Sequence, residues 1–215
     1  MHQRNRKSEQ ICIWCLKHLY HDATMFDLFI KRSILCANCR QILTPQKLKF
    51  RIEGMDCSAI FEYNETIQQL IYRYKEDKDL PLAPLFFNQS IRFLKQANKI
   101  NVLIPSSNEK VTTRGFHHLE AMLDSHKLPY ESCLIKNSNW KQSSQSKVNR
   151  AKVSEILKLR GIDRIKNKHV LLIDDVATTG STLLAAYNLI TPHASRVSAL
   201  VFAVHPKLYQ QSKML

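Results

Sequence analysis

The sequence predicts an α/β fold, in which helices flank a mainly parallel sheet, with a small cysteine-containing module at the N-terminus. Two closely spaced cysteine pairs lie near the N-terminus, and apolar runs alternate with helical stripes farther along the chain. One fully apolar run ends in two acidic residues, followed by a loop rich in threonine. The 215 residues provide for one medium-sized core and a short appendage.

The predicted domain organisation has three parts. Residues 1–44 hold the paired cysteines and little hydrophobic periodicity, so a bound metal rather than an apolar core is expected to stabilise them. Residues 45–58 are basic and polar, which indicates a connector with at most one edge strand. The main α/β domain is predicted for residues 59–215.

Apolar residues in the main domain alternate between the helical and the strand pattern. Within 64–75 they recur at i, i+3, i+4 and i+7, which predicts an amphipathic helix. The other helices are predicted at 81–96, 116–123, 153–157 and 182–190, and the strands at 101–104, 130–135, 169–173 and 197–204. The strand at 101–104 is predicted to lie inside a parallel sheet, with a polar loop from there to Arg114. Residues 136–149 predict a mobile loop or a lid.

The charge of the chain favours a polyanionic partner. Lys and Arg number 32 against 18 acidic residues, which gives a net charge of +14 and a pI near 9.6. A solubilising surface would show the same excess, so the charge leaves both interpretations open. No apolar run reaches the roughly 18 residues of a membrane span, and no apolar stretch follows the charged N-terminus as in a secretory signal. The expected location is the cytoplasm.

The spacing of four cysteines predicts a structural metal site. Cys12 and Cys15 form one CxxC pair, and Cys36 and Cys39 form a second, 20 residues later. This spacing is typical of a zinc ribbon, in which two such pairs complete a tetrahedral shell of thiolates around Zn²⁺. A redox dithiol or ordinary buried cysteines are the alternatives. Two further cysteines, at positions 57 and 133, lack partners at ligand spacing and are predicted to be core residues.

The segment from Val170 to Thr182 predicts a phosphate site. Its apolar strand ends in Asp174 and Asp175, and the following loop opens a helix whose N–H groups and dipole attract an anion. The predicted phosphate-binding residues are Ala177, Thr178, Thr179, Gly180, Ser181 and Thr182. Carboxylates repel phosphate, so ribose hydroxyls just beyond it are the better partners for the two aspartates. The alternative, an acidic helix cap, explains only one of the carboxylates.

At these residues the chain resembles the type I phosphoribosyltransferases. The resemblance implies that Asp174 and Asp175 hold the ribose hydroxyls of phosphoribosyl pyrophosphate, while residues 177–182 bind its 5′-phosphate. It also implies Mg²⁺ bridging pyrophosphate and ribose. In a working enzyme Arg114, with Asp174 and Asp175, would belong to the catalytic group. No segment after the last strand suggests a hood for a nucleobase, which disfavours the enzyme.

The whole arrangement is similar to the ComF or ComFC family of late competence proteins. Besides the cysteine pairs, the blocks at 63–75, 114–117 and 145–150 resemble that family. His117 departs from it, as does the segment 102–107, which lacks the usual prolines and basic residues. The resemblance implies a role in natural transformation, with single-stranded DNA and a helicase-like competence protein as partners.

Three functions remain open at this point. The first is a DNA-binding competence factor that uses the transferase scaffold to bind a ligand. The second is an active phosphoribosyltransferase, and the third is a zinc-dependent protein scaffold without ligand binding. Trp14, Tyr20 and Trp140 are candidates for stacking on bases, although each could equally serve packing.

Overall fold

The computed structural model describes residues 11–19, 34–136 and 157–213. The chain divides into two compact units, Met1–Pro45 and Gln46–Leu215. Tyr20, Trp140, the block 145–150, most of the predicted loop at 136–149 and nearly all of the predicted helix at 153–157 lie outside the described residues. In the part of the chain that is described, no helix has the length and apolar character needed to cross a membrane.

The smaller unit is organised around its cysteines. The backbone turns tightly after Cys12, whose N–H donates to the carbonyl of Lys17 at 2.8 Å and whose carbonyl accepts from the N–H of Leu16 at 2.9 Å. Helix α1 (Ala37–Ile42) begins directly after Cys36. Both cysteine pairs therefore lie where the backbone turns, which allows each pair of sulfurs to face a common point.

The larger unit contains the predicted sheet flanked by helices. Its strands are β1 (Leu48–Ile52), β2 (Met55–Glu62), β3 (Lys99–Leu103), β6 (His169–Ala177) and β7 (Arg196–Val204), in the order β1-β2-β7-β6-β3. The β1–β2 pair is antiparallel, and the other three pairs are parallel. The strands β4 (Leu134–Lys136) and β5 (Leu157–Leu159) form a separate antiparallel pair.

Helices connect these strands. They are α2 (Glu65–Lys75), α3 (Ile91–Leu94), α4 (Asn108–Arg114), α5 (His118–Asp124), α6 (Ser181–Ile190) and α7 (Pro206–Lys213). The helix predicted at 64–75 is confirmed: Asn64 caps it by accepting from the N–H of Ile67 at 3.0 Å, and its apolar stripe is buried. Since helices carry the chain between parallel strands, the carboxyl ends of β2, β3, β6 and β7 meet at one edge of the sheet.

Some predicted elements were wrong. The helix predicted at 81–96 is replaced by two 3₁₀ turns, Leu80–Leu85 and Asn88–Ser90, followed by α3. Pro84 lies inside the first turn and Phe87 has a φ of 56°, and both interrupt an α-helix. The strand predicted inside the sheet is β3, at the end of the strand order, where it meets Glu131 in an isolated bridge.

Two segments predicted mainly as connections carry more regular structure than expected. Residues 45–58, expected to be a connector with at most one edge strand, contain the edge strand β1 and also the start of β2, and the two strands form a hairpin on the sheet. Phe50 and Ile52 of β1 are buried on one face while the residues between them are exposed, which is the alternation of a half-buried strand. The polar loop expected before Arg114 contains α4. Short amphipathic elements of this kind give little periodicity in the sequence.

Candidate functional site

A cavity of about 180 Å³ lies at the carboxyl edge of the parallel strands. It is lined by Lys75, Ile104, Pro105, Ser106, Lys110, Arg114, His118, Lys136, Asp174, Asp175 and Thr182. These residues come from the end of α2, the segment after β3, the helices α4 and α5, the strands β4 and β6, and the start of α6. Crevices at this edge of an open α/β sheet are the usual place for a ligand.

Asp175 lies at the centre of a chain of polar contacts. It is 6% exposed, and its Oδ2 contacts Nζ of Lys75 and lies 3.2 Å from Nε2 of His118. On the other side of the imidazole, Nδ1 lies 3.1 Å from Oγ of Ser106. The approach of Nε2 to Asp175 is a close contact and not a hydrogen bond, because Nε2 has no hydrogen-bond partner among the described residues.

Arg114 is also drawn into this cavity. It is 7% exposed, and its Nε donates to the carbonyl of Lys75 at 3.2 Å, while Nη2 lies 3.8 Å from Oε1 of Glu76. Its Nη1 is buried and has no hydrogen-bond partner among the described residues. A guanidinium with a donor left over at the wall of a polar cavity is suited to an anionic ligand.

The charges in the cavity are shifted by burial. Burial raises the pKa of Asp174 to about 7 and lowers the pKa of Lys75 to about 8. Burial, and then the charge of Lys75, lowers the pKa of His118 well below its ordinary value. Each of these shifts means that the site disfavours an uncompensated charge. Because Lys75, Lys110, Arg114 and Lys136 all line the cavity, the ligand that compensates them best is an anion.

The predicted phosphate loop lies beside the two aspartates. Strand β6 runs through both carboxylates to Ala177, and Thr182 lines the same cavity as they do. The loop residues Thr178, Thr179 and Ser181 are exposed, and Oγ1 of Thr179 lies 2.8 Å from Oγ of Ser181. The first turn of α6 leaves its backbone N–H groups without helical partners, so they are available to an anion.

Gly180 provides the turn between strand and helix. Its φ is +75°, a conformation that costs other residues roughly 1–2 kcal/mol. An added Cβ would also lie 2.7 Å from Cδ1 of Ile52. We therefore expect Gly180→Ala to lower the free energy of unfolding by about 2 kcal/mol in urea titrations, the strain and the contact together.

Gly115→Ala is the matched control for this prediction. Gly115 has a φ of +86° with nothing within 4 Å of an added Cβ, so only the conformational cost of about 1 kcal/mol is expected. Adding Ile52→Val, which removes Cδ1, should recover part of the difference relative to Ile52→Val alone. Equal losses for the two glycine substitutions would show that the contact with Ile52 costs nothing.

Sequence reasoning missed several residues of the cavity. His118, Ser106, Lys110 and Lys136 line it, whereas His117, which was singled out from the sequence, is exposed and lies 3.9 Å from Glu120. His118 precedes Met122 by four residues and so continues the apolar stripe of α5, which is the signal that could have revealed its burial. The other three residues give no periodic signal.

Comparison with known proteins identifies the family. Competence protein ComFC of Streptococcus pneumoniae (strain ATCC BAA-255 / R6) is 30% identical over 155 residues, which cover 69% of this chain and 70% of that protein. The chain belongs to the ComFC family. Competence protein ComFC of Bacillus subtilis (strain 168) is 27% identical over 207 residues, covering 80% of this chain and 85% of that protein.

The ComFC family assignment agrees with the fold. Residues 111–214 match the phosphoribosyl transferase domain, which confirms the predicted phosphoribosyltransferase-like α/β fold. A solved adenine phosphoribosyltransferase from Leishmania donovani is 16% identical, with a TM-score of 0.42, over 77% of this chain and 78% of that chain.

The four N-terminal cysteines of this chain form one cluster. Their four Sγ atoms all lie within 4.8 Å of one another, and Sγ of Cys15 lies 3.7 Å from Sγ of Cys36. Metal–sulfur bonds of about 2.3 Å in a tetrahedral shell place sulfurs about 3.8 Å apart, so the set fits one metal ion. Cys12, Cys36 and Cys39 are buried, and Trp14 packs against them, which favours the packing role for that tryptophan.

The titration of these thiols also favours a cation. Burial raises the pKa of Cys15 and of Cys39, while at Cys12 backbone hydrogen bonds outweigh burial and lower the pKa to about 7. Four thiolates together would therefore be unstable without positive charge between them. Cys57 and Cys133 are buried in the larger unit, as predicted for core residues.

A second group of potential metal ligands lies in the cavity. His118, Asp174 and Asp175 each bring one ligand atom within 4.8 Å of the others. The ammonium of Lys75 contacts the same oxygen of Asp175 that faces the imidazole. A cation bound by all three residues would have to displace Lys75, so this group fits a resident metal less well than the cysteines do.

Proposed function

We propose that this ComFC-family protein acts in natural transformation, where it binds single-stranded DNA and holds a phosphorylated ribose of the phosphoribosyl pyrophosphate type. The observation that supports this ligand is a single cavity, which is lined by Asp174, Asp175 and Thr182 together with four basic residues. The names of the curated relatives support the role in competence. A helicase-like competence protein is the protein partner that the family implies.

Different residues of the cavity would bind different parts of the ligand. Asp174 and Asp175 accept from the ribose hydroxyls, and the start of α6 with Thr182 binds the 5′-phosphate. Lys75 orients Asp175 and, with Arg114 and nearby lysines, balances the diphosphate. Mg²⁺ bound to the diphosphate and the ribose would neutralise further negative charge.

The cysteines supply a separate, structural function. Cys12, Cys15, Cys36 and Cys39 would bind Zn²⁺ and leave no coordination position open for chemistry. Zinc binding would stabilise a unit in which, among the described residues, Leu43 is the one other buried apolar side chain. The proposed roles of metal and sugar phosphate are thus independent of each other.

The test of the ligand site is calorimetry with ribose 5-phosphate and with phosphoribosyl pyrophosphate in the presence of Mg²⁺. Asp174→Asn should weaken binding at least about tenfold, because it removes a charged acceptor for a ribose hydroxyl. Asp163→Asn, at an exposed position, is the matched control and should bind as the unsubstituted chain does. Undetectable binding by the folded unsubstituted chain, or equal binding by Asp174→Asn, would contradict the proposal.

Thermal unfolding separates a lost site from a lost fold. Asp174 has a pKa of about 7 in the folded chain against 3.8 ordinarily, so its contribution to stability falls as the pH rises from about 4 to about 7. Asparagine does not ionise and so avoids this loss of stability. Asp174→Asn should therefore be at least as stable as the unsubstituted chain at about pH 8. Release of pyrophosphate from phosphoribosyl pyrophosphate that requires an added nucleobase as acceptor would identify a transferase, the second function that the basic cavity could serve.

A further inference from the structure

A basic groove on the larger unit shares no lining residue with the sugar-phosphate cavity. It has a volume of about 520 Å³ and is lined by Lys49, Arg51, Asp56, Ser58, Arg196 and Ser212, over a floor that includes Phe50 and Cys57. Asp56 is the second residue of β2 and Arg196 is the first of β7. The groove therefore includes residues at the amino ends of these two strands.

One carboxylate in this groove holds two guanidinium groups side by side. Nε of Arg51 donates to Oδ1 of Asp56 at 3.1 Å, and Nη2 of Arg196 donates to Oδ2 at 3.0 Å. The side chains of the two arginines are 72% and 61% exposed. Each guanidinium carries five N–H donors, so both keep most of their donors for a ligand after binding the carboxylate.

Two of the positive charges lie on one face of a single strand. Lys49 and Arg51 are alternate residues of β1 and point to the same face, about 6.7 Å apart along the strand. Across the hairpin they lie opposite Ser58 and Asp56, and Arg196 adds a third cation beyond Asp56. Three cations against one carboxylate leave the groove positively charged, and two serine hydroxyls add neutral donors.

We infer that this groove binds the phosphodiester backbone of single-stranded nucleic acid. The inference rests on the DNA binding proposed above and gives it a location separate from the sugar-phosphate cavity. Lys49 and Arg51 are spaced so that each can meet one of two successive phosphates in an extended strand, and guanidinium forks match phosphate oxygens.

The lining of the groove favours a nucleic acid over an acidic peptide. Phe50 and Cys57 are buried, so none of the residues that line the groove exposes an apolar anchor of the kind that a peptide motif uses. The groove is formed by two strands, the start of a third and Ser212 of α7. Contacts to phosphate alone predict binding without preference for sequence.

The test is fluorescence anisotropy of a labelled oligothymidylate with an Arg51→Gln/Arg196→Gln double variant. Near 0.15 M salt, binding should be about tenfold weaker than for the unsubstituted chain. The slope of log K against log salt should become shallower by about 1.4, because two single-strand phosphate contacts are lost at about 0.7 each. Lys49→Gln, which breaks no ion pair given by the described residues, should change the slope by about 0.7.

The matched control is Lys158→Gln/Arg160→Gln, which removes the same charge at exposed positions on and beside β5. It should bind as the unsubstituted chain does, and ribose 5-phosphate should bind equally to all of the variants, which also shows that they are folded. If the unsubstituted chain fails to bind oligothymidylate even at low salt, the DNA function falls along with the groove.

If the unsubstituted chain binds oligothymidylate and the groove and control variants weaken this binding equally, the assignment of binding to the groove is wrong, while the proposed DNA binding stands. Polyglutamate and a duplex of equal length complete the set. If the groove variant binds polyglutamate or the duplex more weakly but binds oligothymidylate as well as the unsubstituted chain does, the assignment to a single strand is overturned.

Discussion

Replacing Lys75 by methionine is expected to lower the free energy of unfolding by about 3 kcal/mol. The substitution leaves the carboxylate of Asp175 buried, with the largely neutral imidazole of His118 as its neighbour. Breaking a buried ion pair from one side costs more than the pair contributes, because the remaining charge loses its hydration without compensation. Urea unfolding at neutral pH measures the change.

The double variant Lys75→Met/Asp175→Asn should recover part of this loss, since it leaves no unpaired charge. Lys207→Met, at an exposed position of α7, is the control and should change stability by less than about 0.5 kcal/mol. If Lys75→Met proved as mild as this control, Lys75 would not be the partner that stabilises the Asp175 carboxylate.

Cys36→Ser is expected to abolish the binding of one zinc ion per chain and to unfold the described part of the smaller unit. Structural zinc contributes about 10–16 kcal/mol to small domains, far more than the burial of Leu43, the one other buried apolar side chain among the described residues of this unit, could replace. Metal analysis of the purified chain measures the zinc content. Hydrogen exchange should show lost protection around Cys12 and in α1, with β6 and β7 still protected.

Cys57→Ala is the matched control, because Cys57 is buried in β2 and belongs to the larger unit. It should keep its zinc while losing some stability of the sheet. A chelator should reproduce the exchange pattern of Cys36→Ser in the unsubstituted chain. Full zinc content in Cys36→Ser, or protection of α1 without metal, would rule out the proposed zinc-dependent unit.

The parts of the fold that the sequence predicted are those with a strong local signal. The apolar stripe of α2 and the continuous apolar run of β6 each specify one type of element, because burial on one face or on both leaves a distinct period. The hairpin at residues 48–62 and the short helix α4 were not predicted. In α4 only Arg114 is buried, and β2 pairs with β7, which is distant in sequence, so the local signal for these elements is weak.

Short stretches of sequence were sufficient to recognise the cysteine pairs, the strand that ends in Asp174 and Asp175, and the glycine of the following turn. These features depend on the local backbone, which a few neighbouring residues specify. Long-range folding brings Lys75 and His118 to Asp175, and it brings Arg51 and Arg196 to Asp56. Residues 51 and 196 are brought together by parallel pairing of β2 with β7, a non-local contact that carries no mark in either segment.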